Sequence, residues 1–121
     1  MTLLQDLNRH APGSETLIHV YKNKIVFNAR ASRLLGLDDG DRVIFRFERD
    51  FVPTRTYVGK RKHCAYEVVR RKRCFMVNST SLARDVANSL DGYGTYRIES
   101  ESMTKDSNGD PYYMIFFKRF E

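Results

Sequence analysis

The strongest candidates for functional residues in this sequence are the basic side chains of one segment. Between Arg55 and Arg73 a single acid, Glu67, stands against eight basic residues: Arg55, Lys60, Arg61, Lys62, Arg70, Arg71, Lys72 and Arg73. This segment carries a net charge of +7, whereas the whole 121-residue chain carries +6, so the remainder is close to neutral at −1. Such a local concentration of positive charge favours a polyanionic partner. The alternative is that exposed hairpins carry Lys and Arg to prevent pairing between sheet edges.

Residues suited to catalysis or metal binding lie too far apart to predict a site. His63 and Cys64 are neighbours, and adjacent residues on a strand point to opposite faces, so they are poorly placed to share a tetrahedral zinc with Cys74. The acidic turn from Asp38 to Asp41 lacks the later bidentate acid of a calcium loop. The sequence also contains no glycine-rich phosphate loop and no nucleophile elbow. We therefore expect a binding module and not an enzyme, with no metal and no cofactor.

The composition predicts one intracellular domain. With 41% hydrophobic and 30% charged residues, the chain has enough apolar surface to build a single core. Its start, MTLLQDLNRHAPGS, lacks the regions of an export signal, and no apolar run approaches the ~18 residues of a membrane span. We expect a cytoplasmic protein without membrane association. In that reducing compartment Cys64 and Cys74 are expected to be free thiols.

The elements that carry the cations follow an order of strand, strand, helix, strand, strand. Residues 1–15 predict an N-terminal helical arm. TLIHVY and KIVFN then predict a hairpin with its tip near Lys22. A short helix is expected to begin after Asn28 as its cap and to end before Gly36. The strands RVIFRFE and TRTYVGK complete a first unit over residues 16–62.

The same order recurs over residues 63–121. AYEVVRR and CFMVN predict a second hairpin with a basic tip, a helix follows, and TYRIES and YYMIFFKRF are the last strands. An offset of fifty residues superposes the second hairpin on the first and Asn78 on Asn28. Such a repeat indicates that neither ββαββ unit buries its apolar face alone and that the two interlock around a pseudo-two-fold axis. The predicted fold is α+β but mostly β: one duplicated, interlocked barrel with two short helices.

The run NKIVFNARASRLLGLDDGDRVIF, residues 23–45, resembles the swapped-hairpin DNA-binding domain of the AbrB family of bacterial transition-state regulators and antitoxins. The resemblance rests on Lys24 after the turn, the triplet IVF, Arg33 in the helix, and the Leu-Gly-Leu and Gly-Asp steps at the family's spacing. Asn23 replaces the family's usual Gly, and Asn28 replaces its usual Pro. The resemblance implies an interlocked barrel with DNA contacts from Lys24 and Arg33. Family members usually build this fold from two chains, which the duplication would supply within one.

The predicted DNA-binding surface consists mainly of the two hairpin tips and the first helix. Cationic side chains on projecting turns meet phosphates with little obstruction, and pseudo-symmetry predicts that both tips face the same side. Cys74 and Ala83 take the places of Lys24 and Arg33 in the second unit, so unequal contributions are expected. The nucleic-acid hypothesis depends on the tips sharing a surface and on their guanidinium groups not being paired with the protein's own carboxylates. The residues predicted to contact DNA are Lys22, Lys24, Arg30, Arg33, Lys60, Arg61, Lys62, Arg70, Arg71, Lys72 and Arg73.

These patterns favour a transcriptional regulator that binds duplex DNA, and they leave two other functions open. One is a protein-interaction or assembly module with a double-psi barrel, which similar strand-helix duplications also build. The other is a binder of single-stranded nucleic acid or RNA, in which the seven Tyr and eight Phe stack bases. Most of these aromatic residues fall on alternating strand positions, which favours core packing. The last strand, residues 112–120, is apolar on both faces, as is typical of a central strand or of a homodimer interface.

Overall fold

The computed structural model describes residues 15–61 and 66–120. The predicted N-terminal arm lies outside the described residues except for Glu15, as do Lys62, His63 and Cys64. The described chain is mostly β with two short helices, as the sequence predicts. In chain order its elements are β1 (Leu17–Val20), β2 (Ile25–Phe27), α1 (Ala29–Leu35), β3 (Arg42–Glu48), β4 (Arg55–Arg61), β5 (Tyr66–Glu67), β6 (Val69–Arg71), β7 (Cys74–Val77), α2 (Thr80–Ser89), β8 (Gly94–Lys105) and β9 (Pro111–Ile115).

All of these strands join one antiparallel sheet that is nearly closed into a barrel. Their order in the sheet is β5-β3-β4-β9-β8-β1-β2-β7-β6. The two end strands, β5 and β6, are separated in the chain by Val68 alone. The backbone N–H of Val68 donates to the Asp41 carbonyl at 2.7 Å, and its carbonyl accepts from Gly40 at 3.4 Å. Residues 66–71 therefore pair first with β3 and then with β7, and this connection nearly closes the barrel.

The interior of the barrel is filled by one side of every described strand except the short β5 and β6, because successive strand residues point to opposite faces. Tyr96 is the largest fully buried side chain, and its hydroxyl donates to the Gly92 carbonyl at 2.6 Å. That bond satisfies the polar atom that Tyr96 brings into the core. The other strand residues of the core are Ile18, Val20, Ile25, Phe27, Val43, Phe45, Val58, Phe75, Val77, Ile98 and Ile115.

Both helices begin at a capping side chain, and the sequence predicts the first of them, Asn28. The Asn28 Oδ1 accepts from the backbone N–H of Ala31 at 2.9 Å, and α1 ends at Gly36, whose φ of 64° is left-handed. At α2 the Ser79 hydroxyl accepts from the N–H of Leu82 at 3.2 Å. In the described parts of the chain, neither helix has the length and apolar character needed to cross a membrane.

Two predicted strands differ from those observed. AYEVVRR is interrupted at Val68, because the segment pairs first with β3 and then with β7. The strand in YYMIFFKRF ends at Ile115 and is hydrogen-bonded to β4 on one side and to β8 on the other. β9 is therefore a central strand, paired along both edges, and the homodimer through the C-terminal segment stays a prediction.

Candidate functional site

The two basic hairpin tips lie at opposite ends of the β2–β7 pair. These strands are antiparallel neighbours in which Ile25 is opposite Val77 and Phe27 is opposite Phe75. The first tip leads into β2 at Ile25, whereas the second tip leads into β7 beside Phe27. The prediction that both tips share one surface is therefore wrong, and a DNA contact made by both tips together loses its geometric basis. Each tip instead lies beside the start of the helix that belongs to the other half.

The second tip and α1 enclose a groove of about 590 Å³. Arg33 lines it from α1, and Arg70 and Arg73 line it from the β6–β7 hairpin. All three side chains are exposed. We call this feature the arginine groove. The rest of its lining consists of Ala29, Ser32, Gly36, Leu37, Asp38 and Phe75.

Local backbone geometry determines how the hairpin presents its two arginines. Lys72 and Arg73 form the turn between β6 and β7, and Lys72 adopts a left-handed φ of 57°. The Nε of Arg70 donates to the Lys72 carbonyl at 3.2 Å. Its guanidinium carbon lies 6.0 Å from the centre of the Phe75 ring. Arg70 is thus oriented by both the turn and an aromatic residue of the groove.

Positive charge dominates the arginine groove. Within residues 15–61 and 66–120, the guanidinium groups of Arg33, Arg70 and Arg73 form no ion pair. Asp38 also lines the groove, and the Oδ1 of Asp39 accepts a hydrogen bond from the backbone N–H of Arg70 at 3.2 Å. Because that bond uses the backbone, it leaves the guanidinium donors able to bind an external anion.

Lys60 differs from the other predicted DNA contacts because its side chain is already paired within the protein. Its Nζ lies 3.0 Å from the Oδ2 of Asp41 and donates to the Gly36 carbonyl at 2.8 Å. The pKa of Asp41 is lowered, first by the hydrogen bond from the backbone N–H of Asp38 and then by Lys60. Lys60 therefore holds the turn next to the arginine groove, and this ion pair competes with any phosphate contact.

The remaining predicted cations lie outside the groove. Arg30 lines a separate cavity of about 520 Å³ together with Arg97. Arg61 lines another cavity, of about 380 Å³. At the first tip the Nζ of Lys24 lies 5.5 Å from the centre of the Tyr21 ring. The others are Lys22 at the first tip, Arg71 and Lys72 exposed at the second tip, and Lys62 outside the described residues.

The sequence identifies the three arginines of the groove but not their grouping. It assigns Arg30 and both tips to the same surface as Arg33. One signal for the correct grouping is the fifty-residue offset itself: if Val26 pairs with its equivalent Met76 in antiparallel register, equivalent tips must lie at opposite ends of the pair. No pattern in the sequence indicates that the uncharged residues Ser32 and Phe75 line the groove.

Among the described residues, no three His, Cys, Asp or Glu side chains lie close enough to bind one metal ion. Cys74 carries a free thiol. No protein-family model matches the chain, and no curated protein or solved structure is significantly similar to it.

Proposed function

We propose that this chain is a DNA-binding regulator of AbrB-like type that contacts the phosphates of duplex DNA through the arginine groove. The observation that carries the proposal is the convergence of Arg33, Arg70 and Arg73 from separate elements on one groove, without carboxylate partners among the described residues. A guanidinium group donates two parallel hydrogen bonds to a phosphate, and its charge does not titrate in the physiological range. Phosphate contacts of this kind supply most of the non-specific affinity for DNA.

Strand pairing supports a duplicated, interlocked barrel as the scaffold for this site. Among the described strands, four pairings join the two halves: β1–β8, β2–β7, β3–β5 and β4–β9. If each strand is replaced by its equivalent from the other half, the order of strands around the barrel stays the same. In β2–β7, Val26 lies opposite Met76, its equivalent at the fifty-residue offset. We infer that one chain supplies both halves of a swapped-hairpin barrel.

The proposed contact is asymmetric, which follows from the residues that replace the arginines in the other half. At the fifty-residue offset the counterparts of Arg33, Arg70 and Arg73 are Ala83, the buried Val20 and Asn23. The opposite end of the β2–β7 pair therefore lacks an equivalent groove. We expect DNA to bind at one end of the molecule, unlike in a symmetric dimer.

The test is a triple substitution, Arg33→Ala with Arg70→Ala and Arg73→Ala. Binding to a random-sequence duplex of about 20 base pairs is followed by fluorescence anisotropy between roughly 50 and 200 mM salt. We expect weaker binding at every salt concentration. The slope of log K against log salt should fall by about 0.9 for each lost phosphate contact, or by roughly 2 to 3 in total.

The matched control removes the same charge elsewhere, by Arg84→Ala with Lys105→Ala and Lys118→Ala, three exposed cations that are not among the predicted DNA contacts. This variant should bind almost as tightly as the wild type. Wild-type affinity and slope in the groove variant would reject the assignment. Equal losses in both variants would attribute binding to net charge and not to the groove. Displacement of the duplex by polyglutamate at an equal concentration of charge would favour the protein-interaction alternative.

A further inference from the structure

The outer face of β3, β4 and β9 carries a second cluster of side chains, separate from the arginine groove. Strand alternation turns Phe45, Thr56 and Val58 into the core, where they are buried. Their neighbours therefore point outwards, and the register places Arg46 opposite Tyr57. The next outward row consists of Ile44, Gly59 and Tyr112, and Met114 lies beside Tyr57.

Two tyrosines and an arginine form the centre of this face. The rings of Tyr57 and Tyr112 pack edge to face, with centres 5.3 Å apart and planes at 85°. The guanidinium carbon of Arg46 lies 5.2 Å from the centre of the Tyr112 ring. Arg46 is exposed and the tyrosines are half-buried. We call this cluster the tyrosine platform.

Gly59 explains why Tyr112 can lie close to the sheet. A Cβ at position 59 would stand 2.7 Å from the carbonyl oxygen of Pro111 and 2.8 Å from the Cβ of Tyr112. Any side chain there would push β9 and its tyrosine away from β4. The glycine thus leaves a low, flat surface between Ile44 and Tyr112.

Helices pack on this part of the barrel from the inner side. α2 meets β4 where the buried Thr56 hydroxyl donates to the Ser89 hydroxyl at 2.9 Å. α1 packs against β1, β2 and β7. Among the outward residues of β3 and β4, Arg42, Arg46, Glu48 and Arg55 are exposed, whereas Ile44, Tyr57 and Arg61 are half-buried.

The charge around the platform is mixed, with a small excess of cations, because Glu67 on β5 lies opposite Arg42 and Glu99 on β8 lies opposite Met114. Arg55 and Arg61 share the outward side of β4 with Tyr57, and Arg42 lies directly opposite Arg61. The one acid in the same outward set on β3 and β4 is Glu48, whose carboxylate accepts a hydrogen bond from the Tyr57 hydroxyl at 2.6 Å. Burial first, and then Glu48, raise the pKa of Tyr57, so its phenol is neutral at physiological pH.

We propose that the tyrosine platform binds single-stranded nucleic acid, with an unpaired base stacked on Tyr112 and neighbouring phosphates held by Arg46 and Arg61. Stacking on aromatic rings is tolerant of base identity, and a cationic surround follows the backbone. The guanidinium carbon of Arg46 lies 5.2 Å from the centre of the Tyr112 ring, so the arginine is close enough to reach a phosphate next to a base stacked on that ring. A duplex keeps its bases stacked inside and cannot offer them to these rings. This inference does not depend on the arginine groove.

The test compares Tyr57→Leu with Tyr112→Leu, made together, against the wild type. Leucine keeps apolar volume on the sheet but removes the ring faces. Anisotropy with a labelled oligo(dT) of about twelve nucleotides should show a loss of roughly tenfold or more. The matched control is Tyr21→Leu with Tyr93→Leu, which removes two exposed tyrosines from turns and should leave the affinity unchanged. Wild-type affinity in the platform variant, or an equal loss in the control, would overturn the proposal.

Two further measurements remain informative if the double variant does not fold. Arg46→Met changes only an exposed side chain, and it should weaken oligo(dT) binding several-fold. In the wild type, photo-crosslinking to an oligonucleotide that contains 5-iodouracil should modify Tyr57 or Tyr112, and crosslinks confined to other residues would contradict the platform. The groove variant with Arg33, Arg70 and Arg73 replaced should keep its single-strand affinity, so the two sites succeed or fail separately. If polyglutamate displaces oligo(dT) as well as unlabelled oligo(dT) does, the surface binds acidic chains and not bases.

Discussion

His19 links the stability of the protein to pH through one half-buried ring. It lies on β1 with its Nδ1 2.8 Å from the Thr95 hydroxyl and its ring stacked near Tyr21. Burial lowers its pKa from the ordinary value of 6.5. The unfolded chain therefore takes up a proton that the folded chain resists. This contribution to stability is present above about pH 6.5 and is lost as the pH falls through the lowered folded value.

Replacing this residue by His19→Gln should remove that pH dependence. Glutamine can still hydrogen-bond to Thr95, but it does not titrate. Between about pH 7.5 and about pH 5.5 the urea midpoint of the wild type should fall further than that of the variant. Circular dichroism during urea titration measures both midpoints. Parallel falls in the two proteins would contradict the assignment to His19.

At the scale of residues, the sequence predicts side-chain chemistry better than side-chain partners. Arg33, Arg70 and Arg73 are identifiable as anion-binding candidates from residue type and turn position alone. Lys60 has the same type and a similar setting, yet it pairs with Asp41. That ion pair exists because β3 and β4 form a hairpin that brings the start of one strand to the end of the other. Counting charges along the sequence does not reveal this ion pair, because it forms only when the two strands pair.

At the scale of elements, the two helix-capping residues differ in the additional hydrogen bonds that their side chains form. The Asn28 Oδ1 accepts from Ala31 and also from the N–H of Leu17 at 3.2 Å, while its Nδ2 donates to the Glu15 carbonyl at 2.8 Å. Its side chain therefore joins α1 to β1. The Ser79 hydroxyl caps its own helix through Leu82.

We expect Asn28→Ala to be more destabilising than Ser79→Ala. Loss of a simple cap costs about 1 kcal/mol, so that is the expected effect at Ser79. Asn28 loses two additional hydrogen bonds, and the expected total is roughly 2 to 3 kcal/mol. Urea denaturation of both variants gives the comparison. Similar losses would mean that the link between α1 and β1 adds little.

Elements are predictable where one local rule decides them. Asn28 and Gly36 locate α1 correctly because capping depends only on residues within one turn. The length of β8 depends on a distant partner: TYRIES predicts an end near Ser100, but the strand continues to Lys105. An irregularity between Glu99 and Thr104 accommodates the extension, and there the Ser102 hydroxyl accepts a hydrogen bond from the N–H of Met114 at 2.8 Å.

For the molecule as a whole, the pairings between halves determine whether a part can fold. β2 finds its second neighbour in β7, and β4 finds its second neighbour in β9. Fragments 1–62 and 63–121 should therefore each lack a cooperative thermal transition. When mixed at equal concentration they should regain one, together with the circular dichroism of the intact chain. A cooperative transition in either fragment alone would show that one half completes its own core.

The architecture of the whole is predictable in class but not in orientation. The alternation in RVIFRFE and the β-branched residues of TLIHVY and KIVFN contribute to the prediction of a mostly β fold. The positions of the tips relative to each other depend on the direction in which β2 and β7 run, and no residue in either strand encodes that direction. The fifty-residue offset predicts that the tips lie at opposite ends only if the two halves are also taken to be related by a two-fold axis.

The passage of residues 66–71 from β3 to β7 also affects how copies of this protein can meet. Without this segment, the seven-residue β3 and the four-residue β7 would each keep an open edge whose amide and carbonyl groups could recruit a strand from another copy. Here the terminal strands β5 and β6 are two and three residues long. So short a ladder offers little template for fibril growth. Within the described part of the chain, the exposed apolar side chains of Phe51, Val52 and Phe117 remain available for contacts between copies.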